Sequence, residues 1–227
     1  MRSRGGVRYG SPVADHPIYA ALYDRMMASA ERHGLGERRG RLLGEARGRV
    51  LEIGAGTGLN LPHYVAGQVG SVVALEPDGA MRRRLLPRVA AAPVPCRVEE
   101  AGIDEARFAD GSFDTIVASL VLCTIPDPPG AAARLRRWLA PDGVLLFLEH
   151  VHAVGWRGRI QAAVSPLWSR LAGGCRLDRE TLGTLREAGF FVTDCERFAL
   201  PGGGVLLSAC VQGAARPRPV VALPEAS

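Results

Sequence analysis

The chain has 227 residues, 47% of them apolar, and a formal net charge of +5, which suits one domain with a substantial buried core. All of its basic residues are arginine, and the lack of lysine excludes Schiff-base lysine chemistry and the lysine-dependent phosphate-binding P-loop. Five cysteines without paired spacing predict reduced thiols in a cytoplasmic protein, with neither a disulfide framework nor a CxxC metal site.

The N-terminal part of the chain predicts an arm followed by a helical cap. Residues 1–15 are rich in glycine and arginine without periodicity, so we expect a flexible arm, and no apolar core of a signal peptide follows it. Apolar residues then recur every four positions from Ile18 to Ala30, which predicts an amphipathic helix ending near Gly34. A second, arginine-rich helix is expected to complete a cap at 16–46, within a single domain at 16–213.

Short apolar runs alternate with helical segments in the middle of the chain. They predict strands at 50–53, 72–75, 93–98, 115–122 and 144–149, with a helix after Asp78, a helix-capping residue, and another at 131–139. Strands that alternate with helices predict an α/β fold with a mainly parallel sheet. The longest apolar run, 116–125, is well below the roughly 18 residues of a membrane span.

The C-terminal part predicts two helices and a closing antiparallel hairpin. The helices are expected at 156–171 and 182–188, and the strands at 190–197 and 205–211. Pro166 should kink or split the first of these helices. Residues 214–227, rich in proline, arginine and alanine, predict a disordered tail.

The stretch VLEIGAGTGLNL, at 50–61, places three glycines within five residues directly after a strand. A dinucleotide-binding GxGxxG turn would have its third glycine one residue later, and Glu52 would repel a diphosphate. S-adenosylmethionine fits better, because Glu52 can attract its ammonium group and the glycines let the backbone pass close to the ligand. Glu76, at the end of the second strand, can accept hydrogen bonds from both ribose hydroxyls.

The segments VLEIGAGTGLN, LEPDGAM, DGSFDTIVASLVLCTIPD, LRRWLAPDGVLLFLEHV and AGGCRLDRETLGTLREAGF resemble those of class I S-adenosylmethionine-dependent methyltransferases. More narrowly, they are similar to bacterial relatives of the methyltransferase-like alkyl-thiol methyltransferases. The resemblance covers residues 17–212 and implies a Rossmann-like, mostly parallel sheet of seven strands, the last one antiparallel, with helices on both faces. It also implies an adenine site at Ile103 and Asp104.

The expected cofactor site gathers residues from the glycine turn and from the ends of the neighbouring strands. It comprises Glu52, Gly54, Ala55, Gly56, Thr57, Gly58, Asn60, Leu61, Glu76, Pro77, Met81, Ile103, Asp104, Ser119, Leu120 and Val121. No metal is expected.

Other residues are candidates for acceptor binding and catalysis. His150, which ends the fifth strand, could be a general base or simply a histidine bonded to a nearby loop. Tyr19, Tyr23, Trp168, Cys175 and Arg176 could line the acceptor pocket. The alternatives are packing of the aromatic faces against the core, and for the GCRLDRET segment a helix start capped by Asp178.

These features predict an enzyme that moves a methyl group from S-adenosylmethionine to a small, fairly apolar acceptor, and the narrower resemblance favours a thiol. One alternative is a lipid-headgroup or quinone methyltransferase that contacts a membrane peripherally, because amphipathic segments accompany a positive charge. Another is a protein that binds the cofactor without turnover. The basic residues do not cluster, so no nucleic acid partner is expected, and no stable membrane insertion is expected either.

Overall fold

The computed structural model describes residues 15–201, 204 and 209–218. The predicted arm, apart from Asp15, and most of the predicted tail therefore lie outside the described residues.

Seven strands form one mixed sheet in the order β3-β2-β1-β4-β5-β7-β6. Strand β7 runs antiparallel to both β5 and β6, whereas β1 to β5 are parallel to one another. This arrangement confirms the predicted Rossmann-like fold. The strands are β1 Gly48–Ile53, β2 Val69–Leu75, β3 Cys96–Glu99, β4 Phe113–Ser119, β5 Leu139–His150, β6 Phe190–Ala199 and β7 Ala209–Pro217.

Six α-helices flank the sheet in the described part of the chain: α1 Pro17–Ala30, α2 Gly36–Leu43, α3 Gly79–Ala90, α4 Pro128–Trp138, α5 Trp156–Leu171 and α6 Thr181–Glu187. A π-helical turn at Glu31–Leu35 joins α1 to α2 and contains Gly34 at φ 118°. Asp78 caps α3 as predicted, because its carboxylate accepts the N–H groups of Ala80 at 2.7 Å and Met81 at 3.1 Å.

The core lies on both faces of the sheet. Side chains alternate along each strand, so Leu145 and Phe147 of β5 pack in one apolar cluster and Leu146 and Leu148 in the other. Because both faces are covered, the central strands carry uninterrupted apolar runs instead of an apolar–polar alternation.

Helix α5 is continuous through Pro166 and is not split there. The hydroxyl of the preceding Ser165 bonds to Asp178 and to the N–H of Leu177. Its apolar face packs on the protein only in part: Val164 and Trp168 pack on a small apolar cluster, whereas Trp156 is 61% and Leu167 63% exposed. The buried side of α5 instead carries small and polar residues, namely Gly158, Gln161 and Ser165.

One prediction and one alternative at the C-terminal end are wrong. Residues 214–217 belong to β7 and not to a disordered tail, because Ala214 and Ala215 pair with Leu146 and Leu145 of β5. Asp178 does not cap a helix; its carboxylate accepts hydrogen bonds from Ser165 and Arg176 instead. Within the described residues, no helix combines the length and apolar character that crossing a bilayer requires.

Candidate functional site

A pocket of about 350 Å³ opens where β1, β2 and β4 end. The sheet order reverses direction between β1 and β4, and ligands of open α/β sheets bind at such a switch point. The pocket wall includes most of the predicted cofactor and acceptor residues: Tyr19, Tyr23, Glu52, Gly54, Ala55, Gly56, Thr57, Asn60, Glu76, Pro77, Met81, Ile103, Asp104, Ser119, Leu120 and Val121.

Gly58 and Leu61 lie behind the wall. Leu61 is fully buried in the core, and a Cβ at Gly58 would come within 2.7 Å of Leu85 Cδ1. Gly58 therefore lets the turn lie close against α3, and Leu61 anchors the following residues in the core.

Glu52 is a buried carboxylate in the pocket wall. Asn60 Nδ2 donates to its Oε1 at 3.0 Å, and the Tyr64 hydroxyl donates to its Oε2 at 2.8 Å. Both partners are uncharged, and burial raises the pKa of Glu52 to about 7 despite these hydrogen bonds. A cation in the pocket would favour the ionised form of this carboxylate.

Glu76 ends the next strand and ties the glycine turn to it. Its Oε2 accepts the N–H of Gly56 at 2.7 Å, and its Oε1 accepts the N–H of Asp78 at 2.9 Å. Burial raises the pKa of Glu76 above its ordinary value. Each carboxylate oxygen can accept more than one hydrogen bond, so Glu76 can still bind hydroxyl groups in the pocket.

The glycine turn after β1 lies close to the residues that follow β4, and this close approach sets the shape of the pocket. Gly54 has φ 57°, and a Cβ there would overlap Val121 Cγ2. On the other side, Leu120 takes the left-handed conformation at φ 55°, unusual for a residue with a side chain. The left-handed Leu120 is held in place by its N–H, which donates to Leu148 O at 2.7 Å.

Arg39, on α2, also lines the pocket, and the sequence analysis did not select it. Its side chain is 3% exposed. One Nη1 atom donates to both Asn60 Oδ1 and Ser119 Oγ at 2.7 Å, and Nε pairs with Glu31 at 3.0 Å. The sequence spacing could have indicated that Arg39 is buried, because position 39 lies four residues from both Leu35 and Leu43 on the buried face of the cap.

The cap covers the pocket through α1. Tyr19 and Tyr23 line the pocket and pack edge to face, and the Tyr19 ring lies against Gly173. Asp24 fixes this helix to the glycine turn, because it accepts the Thr57 hydroxyl at 2.6 Å and pairs with Arg88 at 2.8 Å.

The remaining acceptor and catalytic candidates, His150, Trp168, Cys175 and Arg176, are not among the residues of the wall. His150 Nδ1 lies 4.0 Å from Cys175 Sγ, and Trp168 packs on the apolar cluster of Cys123, Ala172, Cys175 and Leu177. Arg176 pairs with Asp178 on the surface.

Glu149 has a positioning role in this region. It is fully buried, and its Oε1 accepts the N–H groups of Val121 at 3.0 Å and Leu122 at 2.9 Å. Through these bonds Glu149 fixes the chain after β4 where that chain forms part of the pocket wall.

The residues present fit S-adenosylmethionine. A buried carboxylate with only uncharged hydrogen-bond partners suits an ammonium group, and a second carboxylate at the end of β2 suits a ribose diol. Leu75 and Ile103 give the wall an apolar part that suits an adenine ring, and the glycines let the backbone approach the ligand. The pocket therefore offers complementary groups for the ammonium, ribose and adenine parts of the cofactor.

Comparisons with known proteins agree with this arrangement. A family model described as "Methyltransferase domain" matches residues 27–194. The chain is 33% identical over 179 residues to the human thiol S-methyltransferase TMT1B, covering 77% of this chain and 72% of that protein. It is 30% identical over 177 residues to the human thiol S-methyltransferase TMT1A, covering 76% of this chain and 72% of that protein.

A solved S-adenosylmethionine-dependent methyltransferase from Mesorhizobium loti has the same fold. It superposes with a TM-score of 0.60 at 21% identity, covering 82% of this chain and 97% of that one.

Proposed function

Because this chain belongs to the class I S-adenosylmethionine-dependent methyltransferases, we propose that it methylates a small, apolar thiol. The observation that carries the proposal is the pocket itself. Glu52 and Glu76 end neighbouring strands beside the glycine turn, and the same pocket continues to a wall of Tyr19, Tyr23 and Ile125. The region of the two carboxylates suits the cofactor, and the aromatic and aliphatic wall suits an acceptor with little charge.

We assign the cofactor groups to residues as follows. Glu52 receives the ammonium group and Glu76 the ribose hydroxyls, while Ile103 and Asp104 border the adenine. Ser119, Leu120 and Val121 border the reacting end. Asp104 is half-exposed and pairs with Arg134 at 3.3 Å. We therefore expect its main-chain atoms to contribute more to adenine binding than its charge does.

When bound, S-adenosylmethionine supplies a methyl group attached to a positively charged sulfur. The task of the protein is then to align the acceptor and to exclude water, and such positioning can contribute roughly 7–11 kcal/mol. Helix α1 of the cap contributes to the alignment of the acceptor and to the exclusion of water, because Tyr19 and Tyr23 cover the pocket.

A thiol suits this site better than a hydroxyl or an amine. His150, the predicted general base, does not line the pocket. A thiol is more acidic than an alcohol, with the cysteine pKa of about 8.5 as a reference, so it needs less help from a base to ionise. The two human proteins to which the chain is similar are named thiol S-methyltransferases. We also infer a reducing compartment such as the cytoplasm, since none of the five cysteines, all within the described residues, forms a disulfide.

The test is a product assay with methyl-labelled S-adenosylmethionine and a panel of alkyl thiols, hydrogen sulfide, phenols, quinols and phosphatidylethanolamine liposomes. We expect transfer to alkyl thiols, with longer alkyl chains preferred because the wall is apolar. Transfer to a phenol or quinol in place of any thiol would contradict the acceptor assignment. Cofactor binding without transfer to any acceptor would favour the non-catalytic alternative.

One observation supports a lipid-headgroup or quinone methyltransferase as a second candidate. Apolar side chains of α1 and α5 are exposed, among them Ile18 at 77%, Trp156 at 61% and Leu171 at 70%, and Arg157, Arg159 and Arg170 lie on α5 beside them. This candidate requires binding to anionic liposomes that weakens as salt increases. Cosedimentation that detects no such binding would exclude it.

A further inference from the structure

Three potential metal ligands meet beside the pocket although they are far apart in the sequence. Cys123 follows β4, His150 ends β5 and Cys175 lies in the loop after α5. Their ligand atoms all lie within 4.8 Å of one another. Because both cysteines are buried, the cluster is shielded from bulk solvent.

The chemistry of this cluster matches a zinc-class ion. Two thiolates and an imidazole form a soft ligand set that zinc prefers. A tetrahedral ion with Zn–S of about 2.3 Å and Zn–N of about 2.0–2.1 Å places two sulfurs and one nitrogen about 3.5–3.8 Å apart. His150 Nδ1 and Cys175 Sγ are already 4.0 Å apart, so small side-chain rotations would close the site.

The surroundings of the cluster favour a cation over simple packing. Glu149 is fully buried, and its Oε2 has no hydrogen-bond partner among the described residues; the same holds for His150 Nε2. A divalent ion would stabilise two thiolates and the nearby carboxylate together, whereas packing alone leaves these polar atoms unsatisfied.

We propose that Cys123, His150 and Cys175 bind one zinc-class divalent cation at the border of the pocket. Three protein ligands leave one tetrahedral position for a small molecule. Thr124 and Gly173, each within two residues of a ligating cysteine, line the pocket, and the three ligands themselves lie behind this part of its wall.

The fourth ligand is the acceptor thiol, and this part of the proposal rests on the proposed function. On binding, the S–H bond breaks, the proton passes to the solvent buffer, and the sulfur binds the cation as a thiolate. A metal-bound thiol is deprotonated below its ordinary pKa. The cation would thereby hold the acceptor sulfur ionised without a general base.

Cobalt(II) titration of the untagged, metal-free protein tests the site without any methyl transfer. We expect one equivalent to bind and to produce thiolate-to-cobalt charge-transfer bands in the near ultraviolet together with the visible bands of tetrahedral cobalt. One equivalent of zinc should remove them. Absence of stoichiometric binding, or binding without thiolate bands, would overturn the proposal.

Serine variants of single cysteines test which thiols bind the metal. Cys123→Ser and Cys175→Ser should each lower the cobalt affinity at least tenfold and weaken the charge-transfer bands. Cys195→Ser, which removes an exposed thiol outside the cluster, should leave both unchanged. Equal effects of all three substitutions would overturn the assignment.

A measurement on the unmodified chain covers the case in which a variant fails to fold. Alkylation mapped by mass spectrometry should slow at least tenfold at Cys123 and Cys175 when zinc is added, and remain unchanged at Cys195. Equal alkylation rates with and without zinc would contradict the site.

The role of the acceptor thiol as the fourth ligand is tested by adding an alkyl thiol to the cobalt-loaded protein. An additional charge-transfer band is expected as the fourth ligand binds. An unchanged spectrum would exclude the thiol as a ligand, independently of whether methyl transfer occurs.

Discussion

Glu52 has an unusual electrostatic position, since it is buried and faces the pocket. Asn60 and Tyr64 hydrogen-bond to it, Arg39 attracts it and Glu76 repels it, and burial raises its pKa to about 7. A raised folded-state pKa means that the stability contributed by protonated Glu52 is present below the ordinary pKa and is lost as pH rises through about 7. Below about pH 7 the protein without cofactor thus favours the protonated form of Glu52, whereas an ammonium ligand needs the ionised form.

We therefore expect the affinity for S-adenosylmethionine to rise about tenfold between pH 5.5 and 7, because less work is needed to ionise Glu52. Isothermal titration calorimetry should also show proton release on binding. Glu52→Gln should bind weakly and without this pH dependence, while Glu100→Gln, which changes an exposed carboxylate, should behave like the unmodified protein. A flat profile for the unmodified protein would argue against contact between Glu52 and the ammonium group.

Glu76 determines both ribose binding and the shape of the turn. Glu76→Ala should weaken S-adenosylmethionine binding at least tenfold, because the substitution removes the acceptor and frees the N–H groups of Gly56 and Asp78. Calorimetry measures the affinity, and circular dichroism checks that the variant is folded. Glu100→Ala is the matched control. Unchanged affinity in a folded Glu76→Ala variant would mean that the ribose lies elsewhere.

Among the elements, the glycine turn depends on a close approach to β4. Gly54→Ala should destabilise the protein by more than about 2 kcal/mol and abolish cofactor binding, because it combines a positive φ with an overlap on Val121. Gly67→Ala separates these effects, since Gly67 has φ 85° with no heavy atom within 4 Å of a new Cβ. It should cost only about 1 kcal/mol in urea unfolding and keep the affinity unchanged. Equal losses in the two variants would show that backbone strain alone matters.

The cap is joined to the sheet by the buried side chain of Arg39. Arg39→Met should destabilise the protein by about 3 kcal/mol, because Glu31, Asn60 and Ser119 lose their partner in a buried setting. Arg41→Met changes the same helix at an exposed i,i+4 pair with Glu37 and should cost less than about 0.5 kcal/mol. Denaturant unfolding of both variants measures the difference, and similar values would argue against Arg39 as the anchor of the cap.

At the scale of the whole molecule, the pocket lies between the cap and the sheet, so ligand binding should stabilise both together. At 100 times its dissociation constant, S-adenosylmethionine should add about 2.7 kcal/mol to the free energy of unfolding. For a chain of this size that corresponds to a melting shift of about 5–10 °C. Thermal scanning measures it, and Glu76→Ala at the same cofactor concentration should show little shift. A large shift in that variant would point to a different binding site.

Features set by local sequence could be predicted. The apolar run around Ile116, the glycine turn after Ile53 and the cap at Asp78 each depend on neighbouring residues, and the structure has them close to their predicted positions. The same reasoning placed α5 correctly but did not decide which part of its apolar stripe meets the protein. It failed for residues 214–217, because their low complexity hid their pairing with β5.

The sequence by itself determined the fold class, the family and most residues of the pocket wall, because strand and helix periods and a contiguous glycine motif are local signals. Tertiary structure decided what long-range packing brings together. Arg39 meets Asn60 and Ser119 only once the cap folds over the sheet, and Cys123, His150 and Cys175 meet only once β4, β5 and the loop after α5 are in place. No sequence spacing encodes these distances, since they arise from the strand order and from the burial of each element against its neighbours.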